Sequence, residues 1–166
     1  MRILIAGIDG HLGWALAQYL AARGHTVGGF DAFYRRQWVE EMHSVSAIPI
    51  ASWGVRRETF TRTFGAELPF WQGDIRRSPF VTKVLSEFEP DAIVHLAENP
   101  SAAHSMIDVD HAVMVMDNNV IGTLRLLFAM KDVCPDAHLL KLGTMGEYGC
   151  PNLDIPEGFF EVEYGG

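Results

Sequence analysis

The segment LLKLGTMGEYG (139–149) places a hydroxyl, a thioether and a carboxylate in one glycine-flanked loop. Thr144 can hydrogen-bond to a substrate oxygen, and Glu147 can take up or release a proton. Met145 lies between them. The apolar run that precedes the loop is typical of a strand. The loop is therefore either the turn after a buried strand or the floor of an active site.

A glycine-rich turn near the N-terminus, GIDGHLG (7–13), follows an apolar strand and opens a helix. Gly7 permits the tight turn, Gly10 lets the backbone approach a pyrophosphate, and Gly13 lets the helix pack close to the sheet. The helix N-terminus offers free N–H groups and a positive dipole end to phosphates. The predicted ligand is a dinucleotide, and the alternative is that the glycines serve only the turn. The other candidate cofactor-binding residues of this turn are Asp9, His11 and Leu12.

A carboxylate, Asp31, ends the second predicted strand about 20 residues further on, where the adenosine ribose of a dinucleotide would lie. It can accept hydrogen bonds from the ribose 2′-hydroxyl and would repel a 2′-phosphate, so it favours NAD over NADP. Arg35 and Arg36 follow closely. We expect them to stack on adenine or to hold phosphate, the alternative being that either side chain is simply solvated.

Alternating strands and helices must position these residues. Strands separated by helices pair in parallel through right-handed crossovers, so the predicted fold class is α/β, a doubly wound parallel sheet. We expect one domain over residues 1–166. The predicted strands are RILIAG (2–7), TVGGFD (26–31), LPFWQGD (68–74), AIVHLA (92–97) and AHLLKLG (137–143). The predicted helices are 11–24, 78–90, about 108–134 and one or two amphipathic helices within 34–66.

Composition limits the class of partner. The 166 residues are 48% hydrophobic and only 20% charged, a composition that excludes a disordered chain. The net charge is −8. No basic stripe is present to neutralise phosphates, so we expect no nucleic-acid partner and no membrane surface. The chain has no run of 18 apolar residues and no cleavable signal pattern at its start. We therefore expect no membrane span and a cytoplasmic location.

Metal binding is not expected from the spacing of potential ligands. Cys134 and Cys150 lie far apart and fit no zinc or redox motif. The 7 histidines are scattered, and His104 and His111 have no cluster of cysteines or carboxylates around them in the sequence.

Several motifs resemble the extended, nucleotide-sugar branch of the short-chain dehydrogenase/reductase superfamily, beginning with the Gly-x-x-Gly-x-x-Gly spacing. GDI (73–75) is similar to the family's adenine-contacting segment, and VHLA (94–97) to the strand end that passes the nicotinamide ribose. DNNVIGTLRLLFAM (117–130) is similar to the family's central helix. The resemblance implies a Rossmann domain that binds NAD. It places further cofactor contacts at Asp74, Ile75, Leu96, Ala97 and Asn118.

The same resemblance assigns catalytic roles. Asn118 would support a proton relay near the cofactor, the alternative being an ordinary polar residue on a helix. Thr144 matches the superfamily's active-site Ser/Thr at the end of strand five.

The loop after strand five narrows the resemblance to the UDP-sulfoquinovose synthase family, which makes the sulfonated head group of sulfolipids from UDP-glucose and sulfite. KLGTMGEYG (141–149), SMID (105–108) and NNVIGTL (118–124) are similar to that family. One segment departs from it, because ENPSA (98–102) carries Pro100 where an arginine that helps to hold the UDP-sugar is expected. The exact sugar therefore stays open.

This family implies chemistry on a UDP-hexose through a 4-keto intermediate. Thr144 would hydrogen-bond to the sugar 4-oxygen, and Glu147 would remove the C5 proton as the 6-hydroxyl leaves. Met145 would give the C6 pocket an uncharged wall that suits an incoming anion. The alternative for Glu147 is a structural or solvated role.

The superfamily's Tyr-x-x-x-Lys pair is missing, since none of Tyr19, Tyr34, Tyr148 and Tyr164 has a lysine four residues later. The tail FFEVEYGG (159–166) predicts an edge strand and a hairpin turn. We expect the pair on a helix beyond that hairpin. The 166 residues would then be the cofactor half of a larger enzyme, inactive alone, with a sheet that is incomplete at its C-terminal edge.

Two other functions stay open. One is a nucleotide-sugar 4-epimerase or 4,6-dehydratase, and the other is a non-catalytic NAD-binding module. The expected partners are a UDP-sugar, sulfite or a sulfite donor, and a second copy of the chain bound through the helix at 108–134.

Overall fold

A computed structural model describes residues 1–144, Gly149 and Gly158. In this part of the chain, parallel strands form one sheet with the order β3-β2-β1-β4-β5. The sheet confirms the predicted α/β fold class and all of its predicted strands. The order reverses between β1 and β4, the point at which open α/β sheets bind ligands. The strands are β1 (Arg2–Ala6), β2 (Thr26–Asp31), β3 (Phe70–Gln72), β4 (Ala92–His95) and β5 (His138–Lys141).

Helices connect the strands as the sequence predicts. The irregular stretch 34–66 forms two helices. A short helix at Ala102–Ser105 was not predicted, because four residues are too few to show a helical period. The helices are α1 (His11–Ala21), α2 (Tyr34–Glu41), α3 (Trp53–Phe64), α4 (Ser78–Phe88), α5 (Ala102–Ser105), α6 (Val109–Met116) and α7 (Gly122–Val133), with a π-helical turn (Asp117–Ile121) between the last two.

Both faces of the sheet are covered, as a doubly wound fold requires. Along β1, Leu4 points into a core that contains Leu85 of α4 and Leu126 of α7. Its neighbour Ile5 points the opposite way, into a core shared with α1 and with Phe60 of α3. Because side chains alternate along a strand, the apolar residues that follow Arg2 in β1 fill both cores.

The helix predicted at about 108–134 is continuous from Val109 to Val133. Its 25 residues are long and apolar enough to cross a membrane by length and composition alone, with a mean hydropathy of 1.3 in the most apolar window. The expectation of no membrane span rested on the absence of an uninterrupted run of 18 apolar residues, which Asp117, Asn118 and Asn119 interrupt in this helix, and it stays a prediction. Leu126 and Met130, however, are buried against α4, as in a helix that covers a sheet.

Strand β5 lies at the edge of the described sheet and leaves Leu140 46% exposed. The edge strand predicted at 159–166 would be the natural cover for it, but those residues lie outside the described part of the chain.

Candidate functional site

A cavity of about 410 Å³ lies at the switch point of the sheet, against the carboxyl ends of β1, β2 and β4. Nearly all of the residues that the sequence assigned to cofactor binding line it, although they are spread over more than a hundred positions. These are Gly7, Asp9, Gly10, His11, Leu12, Gly13, Asp31, Arg35, Asp74, Ile75, Leu96, Ala97 and Asn118.

The glycine turn is shaped by two positions that exclude a side chain. Gly7 has a φ of 85°, and a Cβ there would lie 2.8 Å from the backbone of Leu96, directly after β4. A Cβ at Gly13 would lie 2.2 Å from the carbonyl oxygen of Gly7. The first turn of α1 therefore packs directly on the strand end, and its N-terminus faces the cavity.

Asp31 holds the turn in place from the end of β2. Its Oδ2 accepts a hydrogen bond from the backbone N–H of Asp9 at 2.9 Å, and its Oδ1 accepts one from that of Phe33 at 2.7 Å. Burial raises the pKa of Asp31, against the effect of these two hydrogen bonds. Each oxygen keeps a second lone pair, so the carboxylate can still accept a ribose hydroxyl.

Arg36 is the one predicted cofactor residue that the structure places elsewhere. Its Nε lies 2.6 Å from Oδ2 of Asp9, so this arginine is held in an ion pair and does not line the cavity. Arg56 of α3 completes the arrangement, because its Nη1 reaches both Oδ1 of Asp9 at 3.0 Å and the Asp9 carbonyl at 2.9 Å. Two guanidinium groups thus fix the buried carboxylate of the glycine turn, and Arg35 alone of the predicted pair lines the cavity.

Asp74, which follows β3, is bound by Arg76 and Tyr34. The Arg76 guanidinium lies 2.8 Å from Oδ2, and the Tyr34 hydroxyl donates to the same oxygen at 3.0 Å. Burial opposes ionisation of Asp74, but these hydrogen bonds and one from the Arg76 backbone hold the pKa of the carboxyl below its usual value. The carboxylate is therefore charged and fixed where the adenine end of a dinucleotide is expected.

The π-helical turn carries Asn118 and Asn119 into the polar layer beneath the cavity. Nδ2 of Asn118 donates to the carbonyl of Ala97 at 3.0 Å. The amide of Asn119 pairs with the backbone of Asn99, accepting from its N–H and donating to its carbonyl, both at 2.9 Å. The loop after β4 is thus fixed to the central helix, which explains why two adjacent asparagines occur in an apolar helix.

His95, at the end of β4, was not assigned a role from the sequence. It is fully buried, and its Nε2 lies 3.0 Å from Oγ1 of Thr123, while its Nδ1 accepts from the N–H of Ala97 at 3.3 Å. The Thr123 hydroxyl donates to the carbonyl of Asn119, so it accepts from Nε2–H. Burial lowers the pKa of His95 to about 4, which keeps the ring neutral.

The loop that follows β5 approaches the same cavity. Leu142 and Gly143 line the cavity, and Thr144 follows directly. Met145 and Glu147 lie outside the described residues, so their predicted roles stay predictions. Pro100, the departure from the family pattern, also lines the cavity.

These features fit a dinucleotide. The backbone of the glycine turn makes room for a pyrophosphate, an α-helix N-terminus faces it, and a carboxylate stands at each end of the adenosine position. Among the residues around the cavity, Arg56 and Arg76 were not predicted from the sequence. Arg76 directly follows the GDI segment and was detectable, whereas Arg56 lies 47 residues from Asp9 and no spacing rule points to it.

Comparison with known proteins agrees with this geometry. Residues 3–162 match the model of the NAD dependent epimerase/dehydratase family. A UDP-sulfoquinovose synthase from Sulfolobus acidocaldarius is 48% identical over 160 residues, which cover 96% of this chain and 41% of that protein. The chloroplastic UDP-sulfoquinovose synthase of Spinacia oleracea is 41% identical over 165 residues, 99% of this chain and 34% of that protein. The chain thus spans well under half the length of these relatives.

Solved structures share the fold. The UDP-glucose 4-epimerase from Bifidobacterium longum, in complex with NAD+ and UDP, superposes with a TM-score of 0.69 at 23% identity, over 95% of this chain and 41% of that one. Since the family match covers almost the whole sequence, the chain belongs to the NAD dependent epimerase/dehydratase family.

Proposed function

We propose that this chain is the cofactor half of an enzyme that converts a UDP-hexose through a 4-keto intermediate, and that the reaction is UDP-glucose plus sulfite to UDP-sulfoquinovose. One observation carries the proposal. Two proteins named UDP-sulfoquinovose synthase, one archaeal and one from a plant, match nearly all of this chain at 48% and 41% identity.

The binding part of the proposal uses residues that meet at one cavity. The glycine turn and the N-terminus of α1 would hold the pyrophosphate of NAD, and Asp31 would accept the adenosine ribose hydroxyls. Asp74 would contact adenine, while Leu96 and Ala97 would flank the nicotinamide ribose. Bound NAD would supply the hydride acceptor and donor for the sugar C4.

The catalytic part concerns the loop after β5 and the π-helical turn. Thr144 would hydrogen-bond to the 4-oxygen of the sugar, and Asn118 would support the proton relay from its place beneath Ala97. Glu147 would remove the C5 proton, which a 4-ketone makes acidic, as the 6-hydroxyl leaves. Sulfite would add at C6 beside the uncharged side chain of Met145. The Tyr and Lys of the superfamily would come from residues beyond position 166.

A homodimer through the helix Val109–Val133 is part of the proposal. Its outer face carries exposed apolar side chains, including Val113 and Met116 at 60% exposure each and Phe128 at 59%. Burial of such a face against a second copy would remove apolar area from water. A cytoplasmic location also stays a prediction, and the spinach relative is itself named as chloroplastic.

Pro100 at the cavity wall is the observation that favours a second candidate, a nucleotide-sugar 4-epimerase or 4,6-dehydratase. The uncharged pyrrolidine ring of a proline cannot replace the charge of an arginine that holds the UDP-sugar. The absent Tyr-x-x-x-Lys pair in turn favours a non-catalytic NAD-binding module.

Mass spectrometry and NMR of the products together separate these functions, because a C4 epimer has the same mass as its substrate and only NMR distinguishes the two. The protein with its C-terminal half, given NAD, UDP-glucose and sulfite, should yield a sulfonated UDP-sugar. A UDP-sugar of unchanged mass but inverted C4 would indicate the epimerase, and loss of one water without sulfonation would indicate the dehydratase. NAD binding without conversion of any UDP-sugar would leave the binding module.

A further inference from the structure

Three side chains outside the cofactor cavity converge from three helices. Oε2 of Glu41, at the end of α2, lies 2.9 Å from Nε2 of His104 on α5. Its Oε1 lies 3.0 Å from Nε2 of His111 on α6. One atom from each of the three side chains lies within 4.8 Å of the others. A second cavity of about 430 Å³, which Asp110 also lines, opens onto them.

The donor set suits a particular class of ion. Two imidazole nitrogens and a carboxylate are the ligands that zinc and neighbouring divalent transition metals prefer, and calcium and magnesium prefer oxygen alone. A tetrahedral ion would take its fourth ligand from Asp110 or from water. The ligand atoms need to close by about an ångström around an ion with bonds near 2 Å.

A neighbouring carboxylate already orients one ligand. Nδ1 of His111 lies 2.6 Å from Oδ1 of Asp108, which also accepts the His111 backbone N–H at 2.9 Å. A carboxylate on the far nitrogen holds the proton on Nδ1 and turns the lone pair of Nε2 toward the cluster. This carboxylate–histidine pair is the usual support of a metal-ligating imidazole.

The second histidine is rigidly held but less well supported. His104 is only 1% exposed and packs on Trp38, with ring centroids 5.4 Å apart. Its Nδ1 faces Nδ2 of Asn99 at 3.0 Å, since Oδ1 of Asn99 is occupied by the N–H of Ser101 at 2.9 Å. An amide N–H at this place favours the proton on Nε2, so metal binding there requires the Asn99 side chain to turn.

We propose that Glu41, His104 and His111 bind one divalent transition metal ion of the zinc class, with both histidines ligating through Nε2. The ion ties the end of α2 to α5 and α6. Because Tyr34, Arg35 and Trp38 of α2 line the cofactor cavity, the ion also stabilises one wall of that cavity.

Zinc titration of the chelator-treated protein at pH 7.5, by calorimetry, tests the proposal. We expect one zinc per chain with a dissociation constant in the micromolar range or below, and an equimolar Co²⁺ adduct with the strong visible absorption of a tetrahedral site. Zinc should raise the Tm of the protein, because it binds only the folded chain. In Glu41→Gln and in His111→Gln, zinc should bind at least about 30-fold more weakly, and it should no longer raise the Tm.

Matched controls lie on the same surface. Glu40→Gln, one residue away on α2, and His43→Gln, just beyond its end, change exposed groups outside the cluster and should keep the zinc affinity of the parent protein. The Tm of each metal-free variant shows that it is folded. Equal zinc affinity in the parent, Glu41→Gln and His111→Gln would overturn the site, as would the absence of saturable binding to the parent protein.

Asn99→Asp should change the zinc affinity in the opposite direction. A carboxylate at position 99 accepts both the Ser101 N–H and a proton on Nδ1 of His104, so it frees Nε2 for the metal. We expect zinc affinity to rise by about tenfold. An unchanged or weaker affinity in a folded Asn99→Asp protein would overturn ligation through Nε2 of His104.

Discussion

At the scale of single residues, the cofactor cavity depends on carboxylates that are held before any ligand arrives. Asp9 is fixed by two guanidinium groups, and Asp31 by two backbone N–H groups. A preorganised acceptor loses little conformational freedom on binding, so its charge can discriminate between ligands.

The first prediction concerns Asp31 and the preference for NAD over NADP. NAD should bind at least about tenfold more tightly than NADP, because one unfavourable charge contact with a 2′-phosphate is worth more than about 1.4 kcal/mol. Asp31→Asn keeps the shape but removes the charge, and it should narrow that gap. Calorimetric titration of both cofactors measures it, with the exposed Asp132→Asn on α7 as control. Equal affinities of the parent protein for NAD and NADP would contradict the assignment.

The second prediction concerns Glu147 as the base that removes the sugar C5 proton. In the protein with its C-terminal half, Glu147→Gln should abolish exchange of the sugar C5 proton with solvent deuterium, because an amide keeps the shape of the side chain but is not a base. NAD affinity should not change. Both are measurable, the exchange by NMR and the affinity by titration. Exchange at the parent rate would leave Glu147 with only a structural role.

His95 predicts how stability changes with pH. Its pKa of about 4 in the folded protein lies below the value of 6.5 for an exposed histidine. Between these values the unfolded chain binds more protons, so the free energy of unfolding falls as pH falls from 6.5 toward 4, by up to about 3 kcal/mol from this residue.

Urea denaturation of the parent protein and of His95→Gln, at several pH values from 5.5 to 7.5, isolates this contribution. A glutamine can still donate toward Thr123 but does not titrate. The variant should therefore lose stability less steeply than the parent as pH falls. Identical slopes would show that His95 does not become charged on unfolding.

At the scale of elements, close contact between β1, α1 and β4 shapes the cavity, and small residues make that contact possible. A small residue also permits a close contact beside the π-helical turn, where Gly122 directly follows the turn and packs on Ile75. A Cβ at Gly122 would lie 2.9 Å from Cγ2 of Ile75. Such turns are frequent at functional sites because they redirect side chains within a helix.

Two glycines give a matched pair for testing this close packing. Gly13→Ala would place a Cβ 2.2 Å from the carbonyl oxygen of Gly7, so the turn must shift. We expect a loss of more than about 2 kcal/mol of stability and a loss of NAD binding. Gly54→Ala on α3 meets nothing within 4 Å and should stabilise the protein by about 0.5 kcal/mol. Thermal denaturation compares the two, and equal effects would contradict the packing argument.

At the scale of the whole molecule, the described residues form the cofactor cavity beside an exposed sheet edge. Leu140 and Leu142 on and after β5 are 46% and 44% exposed, and the chain spans 41% and 34% of the lengths of the two synthases it resembles. An edge of this kind pairs with another strand, either from its own protein or from a second copy.

The 166 residues should therefore turn over no UDP-sugar on their own. Thr144 is a hydroxyl, which needs an adjacent base to take the sugar's 4-OH proton at neutral pH, and the chain has no Tyr-x-x-x-Lys pair. UDP-sugar-dependent reduction of NAD, followed by the absorbance of NADH, should be absent, and addition of the C-terminal half as a separate chain should restore part of it. Turnover by the 166 residues alone would mean that the base lies among them.

The sequence by itself determined the order of strands and helices, the parallel sheet, the glycine turn and the family. These follow from local signals: apolar runs, helical spacing, and glycines at fixed distances from a strand. Asp31 was predictable for the same reason, since it ends a strand, whereas Asp74, two residues after β3, was assigned through the resemblance of the GDI segment.

Only the tertiary structure decided which charges meet. Arg36 was expected at the cofactor, yet it binds Asp9 together with Arg56, which lies 47 residues away. Glu41 lies 63 residues from His104, so the sequence showed two isolated histidines where the fold brings three ligands together. Long side chains find partners through space, and those partners depend on how helices pack rather than on any period along the chain.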